Sequence, residues 1–311
     1  MKRHWKPILT LAVLSSVLTE VLSGNTPITI FINPVIFLLF LTVGYGFPVL
    51  LIREVAFRKN LNVFGLFALG IIYGIYNEGL LAKTLLDLHH SPILAFADYG
   101  IVGTIRLPWM LIITVWHSLY AVIFPIMFVR YLFPLASQET WLGKKTMATL
   151  LSLSLTFGLL TYFDTLPNNP SGTLGSLIFF IIVCILLWNV AKRLVHKPFI
   201  LNEGTLQLSW IKYVGIGFGI NGVFFLTPLI LGGAFRISLG IFILYFISLL
   251  VLFARKVKRI ETIPLLAMVY VGIGAMMAMA VLGIFSGKGL YILTSGISLI
   301  VFIVTAYKLK R

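Results

Sequence analysis

Two carboxylates and one imidazole stand inside otherwise apolar stretches of this sequence: Glu20 in VLTEVL, Glu78 in GIIYGIYNEGLLAK and His117 in ITVWHSLYAV. Acids and histidines exchange protons readily, so such a set in apolar surroundings points to one of two chemistries. It can carry protons along a path, or it can activate a water for hydrolysis. A charge at the centre of a bilayer costs about 2.5 kcal/mol or more, so groups of this kind are expected to be paired and to face protein. The plainer alternatives are carboxylates that reach the headgroups and a histidine that only packs between helices.

Depth along a helix brings the three together. Counted from Val63, Glu78 lies about 22 Å along a helix in a hydrocarbon core about 30 Å thick, and His117 sits about 15 Å deep from the other side. Glu20 comes out at a height similar to that of Glu78. Gly70, Gly74 and Glu78 recur at i, i+4 and i+8, a stripe that lets a neighbouring helix approach closely. Thr114, His117, Ser118 and Ala121 form a second narrow stripe of small and polar residues. The expected site is therefore built by Glu20, Glu78, His117, Asn77 and Thr114 in the outer half, with Glu78 and His117 as the candidates for any catalysis.

The elements that position these groups follow from composition. With 311 residues, 59% hydrophobic and 11% charged, and a mean hydropathy of +1.05, the chain is far more apolar than a soluble domain. It reads as an all-α, polytopic integral membrane bundle. Apolar runs at 7–23, 34–52, 63–82, 107–129, 147–163, 174–191, 213–231, 237–254, 263–285 and 289–307 predict about ten spanning helices. The net charge of +15 would suggest nucleic acid in a soluble protein, but its placement accounts for it. If the amino terminus is cytoplasmic, only Lys83, Arg106, Arg236 and Lys288 of the 24 basic residues fall outside. That alternation predicts cytoplasmic termini, with membrane lipids as partners and no nucleic acid; the polar cluster is expected to take a small solute or lipid-like substrate. The amino-terminal MKRHWK followed by an apolar run is similar to a signal peptide, but Glu20 and the lack of an Ala-x-Ala site favour a retained helix.

No linker divides the chain, which reads as a single membrane domain over 1–311, with the site on 1–135 and packing helices over 136–311. Ten spans could form two inverted repeats, although the halves share no visible sequence similarity. Cys184 is the only cysteine, so no intrachain disulfide or cysteine-based metal centre is expected. Asp87, His89, His90 and Asp98 share the loop Lys83–Arg106, but no His-x3-His pair exists, and neither metal nor cofactor is expected. The formal G-x-G-x-x-G of Gly217, Gly219 and Gly222 lies in an apolar span and reads as close helix packing, with Asn221 as a polar contact. Arg53-Glu54 reads as an interfacial ion pair at the inner end of the second span.

Several landmarks, in order, resemble those of a family of uncharacterised prokaryotic polytopic membrane proteins. They are Thr19-Glu-Val-Leu-Ser-Gly-Asn-Thr-Pro27, Leu51-Ile-Arg-Glu54, Asn77-Glu-Gly-Leu80, and Trp116-His117 followed by Phe124-Pro-Ile126. The resemblance covers roughly the first 135 residues; it implies a multi-pass place in the cell membrane of a prokaryote and no activity. A more distant likeness is to the CAAX-protease and bacteriocin-processing superfamily of intramembrane hydrolases, whose Glu-Glu-x3-Arg helix precedes a Phe-x3-His helix. It implies that Glu78 activates water and that His117 assists. Asn77, Ala82 and Ile113 stand where that pattern has glutamate, arginine and phenylalanine. Three readings follow: a transporter-like or solute-binding protein with a protonatable intramembrane site, an intramembrane hydrolase, or a scaffold or lipid-handling protein.

Overall fold

The computed structural model describes residues 4–21, 33–86, 99–164, 172–193, 200–202, 206–258, 262–285 and 289–309. Ten helical stretches succeed one another among them, aside from one short turn at Pro134–Ser137. We label them α1 (5–21), α2 (34–58), α3 (Val63–Leu81), α4 (Leu107–Leu132), α5 (Lys144–Tyr162), α6 (Leu174–Arg193), α7 (Trp210–Ala234), α8 (Leu239–Lys258), α9 (Leu265–Phe285) and α10 (Gly289–Leu309). Each coincides with one apolar run of the sequence. Six helices (α3, α4, α6, α7, α9 and most of α10) are long and apolar enough to cross a membrane. Two short strand pairs were not anticipated: Ile101–Val102 against Ile105–Arg106, antiparallel, and Ile200–Asn202 beside Thr262–Pro264, parallel. His89, His90, Asp87 and Asp98 lie outside the described residues.

The centre of the bundle is α4, whose most apolar stretch is 89% buried, whereas that of α6 is only 17% buried. Ile181, Ile182, Ile185 and Leu186 of α6 project outward, a lipid-facing surface that needs no polar partner. The glycine stripe of α3 sets its distance from α4. A Cβ added at Gly70 would lie 2.6 Å from Ser118 Cα, and one at Gly74 would lie 2.7 Å from Thr114 Cα. Both are backbone clashes that no rotamer change relieves. Gly74→Ala is therefore expected to cost about 1–3 kcal/mol despite alanine's better helix propensity, measured by unfolding in mixed micelles. Gly215→Ala, where the added methyl meets nothing within 4 Å, is the control. A Gly74→Ala protein as stable as this control would show that the two helices do not need to be so close.

The second half docks on α4 through a buried amide. Tyr120 donates to Asn221 Oδ1 at 2.6 Å, and Asn221 Nδ2 donates to the Ala275 carbonyl, tying α4, α7 and α9 together. Of the three glycines in the G-x-G-x-x-G pattern, only Gly217 serves close packing. A Cβ there would sit 2.1 Å from the Val271 carbonyl oxygen, whereas Gly219 and Gly222 face open space.

Residues from the predicted cytoplasmic segments gather at one end, here called the basic end. Glu54, fully buried, accepts from Arg53 Nη1 at 3.1 Å, Arg58 Nε at 2.9 Å and the Trp141 backbone N–H at 3.0 Å. Arg53 also donates to the Ser137 carbonyl at 2.9 Å and stacks 3.8 Å from the Trp141 ring centroid. The Arg53-Glu54 pair is thus a junction between α2 and the segment that follows α4, more than a local interfacial ion pair. In a Cys184→Ser background, Val102→Cys, on the opposite end, is expected to react with an impermeant thiol reagent added to intact cells. Leu135→Cys, at the basic end, is expected to stay unlabelled; both positions are exposed. Labelling of position 135 alone would reverse the orientation.

Candidate functional site

Four helices change pitch where residues of the cluster sit, and α7 does so as well, over Gly222–Leu226 and Leu229–Ala234. The backbone widens to i→i+5 bonding over Val17–Val21, which holds Glu20; Phe40–Gly46, which holds Tyr45; Tyr76–Leu81, which holds Asn77 and Glu78; and Ser118–Ile123, immediately after His117. The Ala82 N–H, for example, reaches the Asn77 carbonyl at 2.8 Å. Widened turns of this kind are rare and occur frequently at functional sites. Part of the cause is legible in the chain. Pro48 has no N–H to offer the carbonyl of Gly44, and that oxygen accepts instead from Tyr73 OH at 2.7 Å and Asn77 Nδ2 at 3.3 Å. Asn77 also donates to Tyr73 OH at 3.0 Å, so its role here is to brace α3 on α2.

Glu78 points into the bundle. Its Oε1 lies 2.7 Å from His117 Nε2, with the histidine 1% and the acid 8% exposed. Its Oε2 accepts from the Thr84 hydroxyl, and Thr84 Oγ1 in turn accepts from Trp109 Nε1 at 3.0 Å. Lys83 makes this possible: its backbone adopts φ 55°, in the left-handed region, just past the end of α3. The chain turns back there, so that the Leu85 N–H bonds the Glu78 carbonyl at 3.2 Å and Thr84 faces the carboxylate.

The imidazole is walled by aromatic rings. Tyr73 meets it edge-on with centroids 5.5 Å apart, and the Tyr45 ring lies at 6.2 Å. Tyr45 donates its hydroxyl to Glu20 Oε1, so Glu20 joins the cluster through Tyr45. His117 Nδ1 is buried and has no hydrogen-bond partner among the described residues. Thr114, expected in the site, bonds its own helix at Met110 O, 2.7 Å away, and serves as the floor beneath Gly74. Sequence reasoning missed Tyr45, Tyr73, Thr84 and Trp109. The first two sit in apolar runs where tyrosine reads as packing, and Thr84 lies past the end of its span. Among the described residues, no group of three or more His, Cys, Asp or Glu side chains is placed to hold a metal ion.

A bundle of apolar helices enclosing a buried acid–histidine pair is the architecture of a polytopic integral membrane protein. The chain matches a family described as "Uncharacterized membrane protein family" over residues 9–309 and belongs to it. That match extends well past the first 135 residues, where the sequence landmarks stopped. No curated protein and no solved structure matches the chain, so the likeness to intramembrane hydrolases has no support beyond its own residues.

Proposed function

We propose that this protein is a transporter-like or solute-binding membrane protein whose protonatable site is the Glu78–His117 pair. The observation that carries the reading is the 2.7 Å contact between the two side chains, buried among apolar helices. A carboxylate and an imidazole this close, enclosed by apolar helices, are the residue types that exchange protons, and buried groups of this kind are usually paired and mark a pathway or site. Thr84 holds the carboxylate from the other side, and Tyr45 and Tyr73 hold the imidazole in place. The unpartnered Nδ1 of His117 is the atom through which a solute or a water would meet the pair.

The test is uptake into proteoliposomes under an imposed proton gradient, screened across small solutes and short-chain amphiphiles. At least one class is expected to accumulate, only with the gradient, and His117→Gln is expected to abolish it. The same acid–histidine contact supports a second reading, hydrolysis by an activated water. Cleavage of a reporter peptide or ester that is independent of the gradient and lost in His117→Gln would replace transport with hydrolysis. Neither activity would leave a scaffold or lipid-handling role.

A further inference from the structure

A cavity of about 310 Å³ opens at the basic end, between α1, α2, α3 and α4. Two guanidiniums line it, Arg53 and Arg130, and among the described residues no carboxylate does. Glu54, the nearest acid in sequence, is already committed to Arg53, Arg58 and the Trp141 N–H. Arg53 is fixed by that pairing and by its stack on Trp141. Arg130 is half-buried and makes no hydrogen bond or ion pair with any other described residue. Leaving a half-buried cation without an anion, beside a second cation facing the same space, is costly unless something negative fills the space.

Two further features favour an anion. The N-terminus of α3 faces the cavity at Asn62 and Val63, and Asn62 Oδ1 caps the N–H groups of Phe64 and Gly65 at 3.1 and 3.0 Å. Those two N–H groups are taken by Asn62, so it is the positive end of the helix dipole that adds to the field of the two arginines. Beside the polar Asn60 and Ser137, the wall has an apolar portion of Leu11, Leu66, Ile126 and Met127, which suits the carbon portion of an amphiphile.

We propose that this cavity binds the phosphate of an anionic amphiphile, held between Arg130 and Arg53 at the start of α3, with its apolar part against Leu66 and Ile126. Arginine suits this role because its planar fork of N–H groups pairs with phosphate oxygens two at a time. The proposal is independent of the Glu78–His117 site, which lies at the other end of α3.

The full-length protein, purified in a neutral maltoside detergent, would be titrated separately with phosphatidylglycerol, phosphatidylcholine and inorganic phosphate. Binding would be read by thermal stability and by lipid retained in native mass spectrometry. Phosphatidylglycerol is expected to stabilise and to be retained, and phosphatidylcholine is not. Arg130→Gln is expected to weaken phosphatidylglycerol binding by about tenfold or more, the loss of one charge-assisted contact, with Arg130→Lys intermediate. Arg193→Gln, an exposed cation on α6, should bind as the wild type. Saturable binding of inorganic phosphate that Arg130→Gln weakens would support the same phosphate chemistry with a soluble source. Equal binding of both lipids by the wild type, or phosphatidylglycerol binding unchanged in Arg130→Gln, would overturn it. The wild-type comparison needs no variant to fold.

Discussion

Glu78→Gln is expected to abolish gradient-driven uptake, by about 100-fold or more, while leaving the protein folded. Proton transfer by a positioned side chain contributes about 10²- to 10⁴-fold, and an amide cannot take part in it. The shape survives the change. Glutamine keeps one acceptor oxygen for the Thr84 hydroxyl, and its NH2 can donate to a neutral His117 Nε2, so both contacts of the carboxylate have a replacement. The stability cost should then stay near about 1 kcal/mol, the net worth of an ordinary hydrogen bond. Glu78→Ala differs, because it removes one half of a buried pair and leaves His117 and Thr84 facing a void. About 3–5 kcal/mol is expected for that change. If the pair acts as a unit, Glu78→Gln combined with His117→Gln should cost little more activity than either alone. Full uptake in Glu78→Gln with unchanged stability would reduce Glu78 to a packing residue.

Glu54→Ala is expected to lose about 3–5 kcal/mol of stability, the larger structural effect at the basic end. The carboxylate is fully buried, and removing it strands Arg53, only 6% exposed, without its charged partner. It also takes the acceptor from Arg58 Nε and from the Trp141 N–H. Glu139→Ala provides the contrast. Its partner His4 is 3.2 Å away, but the Glu139 side chain is 41% exposed, and exposed ion pairs are worth within about 1 kcal/mol. Unfolding of both variants in mixed micelles reads the difference directly. Equal, small losses would mean that the Arg53–Glu54–Trp141 junction does not hold α2 to the segment after α4.

Legibility in the sequence tracked the range of the interaction. The ten apolar runs each became one helix, because hydrophobic length is a local property. The inward aim of Glu78 was also readable, since Gly70 and Gly74 mark the face on which α4 rests, and the structure places Ser118 and Thr114 there. Thr114 was misjudged because periodicity gives a face and not a bond; a threonine inside a helix can satisfy its hydroxyl on its own backbone, as it does at Met110. Glu54 read as a local pair because Arg53 and Arg58 are its neighbours in the chain, whereas Trp141 is 87 residues away.

By itself, the sequence determined that this is a helical membrane protein, and it pointed to an acid and a histidine at compatible depths on faces turned toward protein. Those conclusions rest on what a bilayer tolerates: runs of apolar residues, and charges only where something can pair with them. Only the tertiary structure decided the pairing itself. It placed His117 rather than Glu20 against Glu78, and brought Glu20 in through Tyr45. It also turned the chain at Lys83 so that Thr84 closes the other side of the carboxylate. The physical reason is that depth and face are set along one helix, whereas a hydrogen bond between helices depends on which of them are adjacent and at what rotation. Here that is settled by close backbone contact at Gly70 and Gly74 and by the widened turns in four separate stretches of chain.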